Sequence, residues 1–410
     1  MNILVLVWSY LKARPLNTLL NTLLLALGIA VIMVLLLFTR QLQDKIQSNA
    51  RGIDLVVGAK GSPLQIILCN IFHIDFPTGN IPLYEAEKLA RNRLVKTAIP
   101  LALGDSYEGY RIIGCPKEYP ELYQAGLAEG RWYQKDFEVV IGATVARMRG
   151  LKMGDHFTSA HGLSQGGHEH EEHHFTVTGI LKPGGTVIDN LIFTSIESVW
   201  KVHDLPVQPV DTSRQQASNL VPSVAAGDST KEITSLLIQY RSPMGAVQLP
   251  RQINQQTSMQ AASPAFETAR LFSIMGVGMD VLSAMAAVLI FISALSIFIA
   301  LYNSLKERRY DLAIMRTLGA TRFKIVFTIL LEGIFLTVAG ALFGLLLGHG
   351  VVGVVAASVE EIQKAGISGI VFYSTEWIIL AGSLLLGLLC ALVPAIQAYR
   401  TDISEVLGGN

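Results

Sequence analysis

The sequence predicts a membrane protein with four transmembrane α-helices and a large α+β extracytoplasmic domain between the first and the second. Three observations carry that expectation. Of 410 residues, 51% are hydrophobic and only 16% are Asp, Glu, Lys or Arg, against about 25% charged in an ordinary soluble domain. The apolar residues gather into four runs, each long enough for the roughly 20 residues that cross a bilayer. The basic residues collect at alternate ends of those runs. Because Lys+Arg and Asp+Glu both total 32, no net field points to nucleic acid, and none is expected as a partner.

Residues 1–40 hold the N-terminus and the first span, with no charge from Pro15 to Thr39. Lys12 and Arg14 could serve as the basic region of a signal peptide. The apolar run, however, exceeds the roughly 7–15 residues of such a segment, and no small-residue cleavage site follows before Arg40. It reads as an uncleaved span. Residues 276–303 form the second span, uncharged between Asp280 and Lys306. The third, 325–357, is interrupted only by Glu332 and His349, and the fourth, 377–399, contains Pro394. The loop 304–324 has six basic residues against Glu307 and Asp311, a net +4, whereas 354–376 has Lys364 against Glu360, Glu361 and Glu376, a net −2. The positive-inside bias therefore puts both termini, the tail 400–410 included, and the loop 304–324 in the cytoplasm. The loop 358–376 and the segment 41–275 then lie outside.

The segment 41–275 has globular texture. Short β-rich runs at Tyr110–Ile113, Phe175–Leu181, Leu191–Thr194 and Ile233–Tyr240 are bounded by Gly, Pro and Asp. Helical patterns alternate with them at Tyr84–Leu94, Ala143–Arg149 and Ser195–Val202. Leu205–Thr230, rich in Pro, Ser, Gln and Asp, reads as a surface loop. Pro264–Gly276 reads as a helix running into the second span. Cys69 and Cys115 fall where a disulfide is chemically permitted, and Cys390 in the last span reads as a small apolar residue.

The loop 304–324 is the most informative stretch. Its core runs Glu307-Arg308-Arg309-Tyr310-Asp311-Leu312-Ala313-Ile314-Met315-Arg316-Thr317-Leu318-Gly319-Ala320-Thr321-Arg322. As a helix it places Tyr310, Ala313, Ile314 and Leu318 on one face, with Arg309 and Arg316 at the flanks and Gly319 at its end. A helix this amphipathic outside the bilayer calls for an apolar partner surface, or else lies in the interface with its basic residues on anionic headgroups.

The same run resembles the coupling segment of the MacB/FtsX family of ABC-transporter permeases, R-R-x-[ED]-[IL]-A-[IL]-[LM]-R-[AT]-[LIM]-G-A-[ST], with Asp311 at the acidic position. Arg14-Pro15-Leu16-Asn17-Thr18-Leu19-Leu20 is similar to the family's entry into its first span. Asp54-Leu55-Val56-Val57-Gly58-Ala59-Lys60-Gly61 is similar to the start of its periplasmic core domain. One span, a large outer domain and three further spans is the family's layout.

The resemblance implies a mechanotransmission permease of the inner membrane, paired as a homodimer or pseudo-dimer and docked on cytoplasmic ABC ATPase subunits. ATP and Mg would sit on those subunits, with no cofactor on this chain. The ATPase-coupling residues it implies are Arg308, Arg309, Asp311, Ala313, Ile314, Arg316, Leu318 and Gly319. No G-x-x-x-x-G-K-[ST] run occurs in the sequence, so the chain is expected to act as a permease subunit and not as an enzyme. Its task would be export or extraction of a lipoprotein, peptide or hydrophobic compound. The alternative within the family is an FtsX-like regulator of a periplasmic partner such as a cell-wall hydrolase.

Three further features stand apart. Six of nine histidines lie between His156 and His174, with Glu169, Glu171 and Glu172 among them. Imidazole and carboxylate suit Zn or another divalent metal, and His168, His170, His173 and His174 are the candidate ligands of a membrane-anchored metal-binding protein. The bland reading is a solvated, Gly-rich loop, and the protease signature H-E-x-x-H is absent. Glu332 lies about 12 Å into the third span at 1.5 Å per residue, where a carboxylate either relays an interhelical contact or snorkels. Gly340, Gly344 and Gly348 recur every fourth residue, a face for close helix packing within the permease or its dimer, the alternative being a flexible hinge.

Overall fold

The structure is a computed structural model that describes residues 3–160, 169–203 and 231–400. The chain divides into two compact units: residues up to Gln43 together with those from Ile274 onward, and Asp44–Ser273. The expected loop Leu205–Thr230 and the tail 401–410 lie outside the described residues.

In chain order, α1 (Ile3–Ala13) and α2 (Pro15–Asn49) come first, then β1 (Leu55–Ala59), α3 (Pro63–Asn70), β2 (Ile81–Pro82) and α4 (Leu83–Ala90). There follow β3 (Val95–Tyr107), β4 (Tyr110–Gly114), α5 (Glu118–Leu122), β5 (Leu127–Gly130), β6 (Glu138–Ile141) and α6 (Ala143–Arg149). Next are β7 (His156–Ala160), β8 (Glu169–Leu181), β9 (Leu191–Thr194), α7 (Ile196–His203), β10 (Glu232–Ile233) and β11 (Ser235–Tyr240). The chain continues through α8 (Pro243–Gln256), β12 (Met259–Ala262), α9 (Pro264–Glu307), α10 (Arg309–Thr317), α11 (Arg322–Ser358), α12 (Glu360–Ala365) and α13 (Glu376–Arg400).

Four of these helices, α2, α9, α11 and α13, are long and apolar enough to cross a membrane. Their shared core is built by Leu25, Ile29, Met33 and Leu37 of α2, Ile297 and Leu301 of α9, Leu336 and Ala341 of α11, and Ala391 and Ala395 of α13. In lipid there is no gain in burying one apolar side chain against another, so close backbone approach has to hold the helices. Gly340, Gly344 and Gly348 face α2. A Cβ on Gly340 would come 2.9 Å from Leu25, one on Gly344 2.8 Å from the Ala26 carbonyl oxygen, and one on Gly348 2.5 Å from Met33. Gly333 of α11 and Gly387 of α13 approach in the same way, since a Cβ on Gly333 would meet Ala391 at 2.8 Å.

The far end of α11 is closed by polar contacts. His349 has Nδ1 2.7 Å from the Gly369 carbonyl oxygen and Nε2 3.0 Å from the Glu376 carboxylate. Glu376 is fully buried and also accepts from the Tyr373 N–H at 2.8 Å. The Gln41 side-chain amide donates to the Ser368 carbonyl and accepts its N–H, both at 2.8 Å.

The second unit is a mixed sheet in the order β12-β1-β11-β3-β4-β9-β6-β8-β5, with β7 pairing β3 and β8. β4–β9 and β6–β8 are parallel and the other pairs antiparallel. Successive strand residues face opposite sides, and here both sides are covered. Val56, Ile113, Val140, Phe193 and Leu237 point into one core. Their neighbours Leu55, Val57, Leu236 and Ile238 point into a second, and Ile112, Val139, Ile141 and Ile192 into a third. Two-sided burial explains why these strands read as unbroken apolar runs.

Several boundaries differ from expectation. The helix expected over Tyr84–Leu94 stops at Ala90, because the Asn92 side chain accepts from the Leu94 N–H and turns the chain into β3. Ile233–Tyr240 is divided at Thr234, whose hydroxyl accepts from the Leu103 N–H. The strand expected from Phe175 begins at Glu169. α1 has no counterpart among the expectations.

Cys69 and Cys115 are free and buried, and burial pushes the Cys115 thiol up to about 12. His73, at φ +55°, lies 2.8 Å from the Tyr119 hydroxyl. Burial, aided by the charge of Arg111, pushes its imidazole down to about 3 from an ordinary 6.5.

Two predictions follow from this packing. Gly344→Leu should lower thermal stability in detergent by about 1–3 kcal/mol, the usual cost of overpacking, while Gly382→Leu, with open space around it, should not. His73 is neutral when folded but takes a proton once unfolded and acidified below about 6.5, so its contribution is complete above that pH and declines as pH falls towards 3. The loss should reach about 1.4 kcal/mol per pH unit. His73→Asn, which tolerates a positive φ, should flatten the acid limb of melting temperature against pH.

Candidate functional site

α9 ends at Glu307, and one residue, Arg308, joins it to α10. α10 in turn ends in a Schellman arrangement: Gly319 takes φ +94°, its N–H donates to the Arg316 carbonyl at 3.0 Å, and the Ala320 N–H donates to the Met315 carbonyl at 3.0 Å. Thr321 then caps α11, accepting from the Lys324 N–H at 3.4 Å. Gly319 is the residue that lets the chain reverse between the two helices without the strain a Cβ would bring.

The four residues expected on one face of this helix divide. Ala313 is buried and Leu312 packs beside it on the helix core. Tyr310 is 59% exposed, Ile314 38% and Leu318 82%. Phe323, at the start of α11, is 77% exposed. Arg309 and Asp311 are exposed, and Arg316 is half-buried. α10 thus sits down on its alanine side and presents a small apolar ridge with charged neighbours.

Arg308 turns the other way. Its guanidinium lies 3.8 Å from the centroid of the Tyr10 ring and 3.6 Å from the Glu332 carboxylate. Nη2 donates to the Tyr10 carbonyl at 3.4 Å. Arg14 pairs with Glu307. The carboxylate of Glu332, buried in α11, is therefore held by an interhelical ion pair. A cavity of about 30 Å³ adjoins the pair, lined among others by Asn17, Asn21 and Ser304.

Sequence reasoning missed Tyr10 and α1. The signal was present, because Ile3, Val7 and Leu11 recur at helical spacing, but Lys12 and Arg14 were read as a basic flank alone. Of the four candidate metal ligands, His173 and His174 have described side chains. His170 lies in β8, while His173 stacks on Phe137 at 4.7 Å and His174 stands opposite Thr158 in the register with β7. As neighbours in one strand, His173 and His174 leave from opposite faces. His168 is outside the described residues. Among the described residues no group of three or more His, Cys, Asp or Glu side chains is placed to hold a metal ion.

Four membrane-capable helices, an α+β unit and a short amphipathic helix between two of those helices define the class as a membrane protein. A family model of the MacB-like periplasmic core domain matches residues 18–243, more than half the chain, and one of the FtsX-like permease C-terminal region matches 283–403. The chain belongs to the MacB/FtsX-type family of ABC transporter permeases.

Among curated relatives it is 27% identical over 131 residues to YknZ of Bacillus subtilis, an uncharacterized ABC transporter permease, a match spanning 31% of this chain and 30% of that one. It is 23% identical over 305 residues to the uncharacterized ABC transporter permease MJ1507 of Methanocaldococcus jannaschii, covering 72% of this chain and 69% of that one. Among solved structures, the periplasmic region of MacB from Actinobacillus actinomycetemcomitans matches at 12% identity and a TM-score of 0.33, over 55% of this chain and 97% of that one. The extracellular domain of the transporter YknZ from Gram-positive bacteria matches at 12% and 0.30, over 52% and 99%. The family assignment rests on the two sequence models.

Removing Arg308 would strand the Glu332 carboxylate. Arg308→Ala should therefore cost about 3–5 kcal/mol, and pairing it with Glu332→Leu should restore most of that. Thermal melting of the two variants in detergent checks the difference.

Proposed function

We propose that this chain is the permease subunit of an inner-membrane ABC complex, and that the ridge of α10 is where a separate cytoplasmic ATPase docks. The observation that carries the reading is the exposure of Tyr310, Ile314 and Leu318 on a helix anchored through Ala313 and ended by Gly319. A helix needing nothing more than the interface would have its apolar side against lipid and its basic side outward. Here Arg309 and Asp311 border the apolar ridge, a polar rim around a small apolar centre of the kind protein interfaces use.

The net +4 of 304–324 and net −2 of 354–376 support an orientation with α10 in the cytoplasm and the 44–273 unit, between the first and second spans, in the periplasm. ATP and Mg belong to the partner, two permease chains work as a pair, and the stroke of the ATPase serves export or extraction of a lipoprotein, peptide or hydrophobic compound at the periplasmic unit.

The test is co-purification of tagged chain with co-expressed genomic neighbours in mild detergent. Leu318 is 82% exposed, so with Leu318→Glu folding should be unchanged while the ATPase is lost, with affinity falling by roughly thirtyfold or more as at an interface hot spot. Unchanged ATPase recovery with Leu318→Glu would remove α10 as the docking site.

A further inference from the structure

α1 touches three separate parts of the region that α10 occupies. The Tyr10 hydroxyl donates to Met315 Sδ of α10 at 3.9 Å, and the Tyr10 ring lies under the Arg308 guanidinium. Trp8 packs edge-on against Phe335 of α11 with centroids 5.9 Å apart, and Val7 and Leu11 are buried in the helix core. Arg14, just past α1, pairs with Glu307 at the end of α9. α1 and the adjoining Arg14 therefore form a strap that contacts α9, α10 and α11.

The joint it crosses is mechanically exposed. Arg308 leaves helical geometry at φ −97° and ψ 8°, so a single residue connects α9 to α10. A one-residue joint would bend when α10 is pushed. Its side chain is held on two sides: the guanidinium carbon lies 3.8 Å from the Tyr10 ring centroid and a guanidinium nitrogen 3.6 Å from the Glu332 carboxylate. Arginine supplies both contacts at once, which a lysine ammonium cannot do. The adjoining cavity, about 30 Å³, is above the roughly 10–15 Å³ that holds a water.

We propose that α1 is a positioning element for coupling: through Tyr10 it holds Arg308 against Glu332, so that a displacement of α10 is carried into α11 instead of being absorbed as bending at Arg308. This rests on the docking of an ATPase on α10. Tyr10 and α1 lie off the exposed ridge of Tyr310, Ile314 and Leu318, so binding of the ATPase and transmission of its stroke are separable.

The experiment uses the full chain in phospholipid nanodiscs with the ATPase that co-purifies with the wild type. It measures ATPase affinity and the stimulated turnover of ATP separately. Tyr10→Leu should leave affinity within about twofold and lower stimulated turnover roughly tenfold, the scale of losing a partly desolvated cation–π contact. Tyr10→Phe, which keeps the ring face, should restore turnover. The proposal is overturned if Tyr10→Leu turns over ATP like the wild type, if affinity falls in parallel with turnover, or if Tyr10→Phe is as impaired as Tyr10→Leu. A wild-type chain that binds no ATPase overturns the docking reading instead, a result that appears before any variant is compared.

Discussion

Hydrocarbon offers no hydrogen-bond partner, and that one constraint orders the membrane-spanning unit. Every backbone polar group has to be satisfied within its own helix, which leaves side-chain polarity to be placed where a partner can be supplied. The charged and titratable groups of α11 follow this closely. Near its start Glu332 meets Arg308, and near its end His349 meets Glu376 and the Gly369 carbonyl. Between the two lies a stretch whose contacts with α2 and α13 are made through Gly333, Gly340, Gly344 and Gly348. The same helix thus has a close-packed middle and two polar ends, and the ends are where neighbouring elements are fastened.

The other unit solves a different problem. The central strands of its sheet are covered on both faces, so they lack the apolar–polar alternation of a half-exposed sheet. Arg111 is buried with Nη2 donating to the Asp75 carbonyl at 2.8 Å and Nη1 to Cys69 Sγ at 3.5 Å. The neighbouring His73 is kept neutral by the same burial that raises the Cys69 thiol to about 11. These groups fasten the loop after α3 to the sheet.

Much of this was legible in the sequence because the governing signals are local. Length and hydropathy identify α2, α9, α11 and α13, and the glycine period of α11 is visible as a pattern. Gly319 announces the end of α10. What was not legible depended on tertiary choice. Ala313 belongs by spacing with Tyr310, Ile314 and Leu318, yet small size lets it turn inward while the larger three stay out. α1 escaped notice because 11 residues are too few to span a bilayer, and its worth lies in contacts with residues some 300 positions away. In the histidine tract, the pleat of β8 sends the neighbours His173 and His174 to opposite faces.

The central claim is that the apolar ridge of α10 is an ATPase-docking surface. The most direct measurement is photo-crosslinking in intact cells from a benzoyl-phenylalanine introduced at Ile314, with Leu346, an exposed residue of α11, as the lipid-facing control. The account predicts an adduct from position 314, identified by mass spectrometry as an ABC ATPase, and none from position 346. Adducts from position 314 that contain only lipid, with no ATPase recovered, would contradict it.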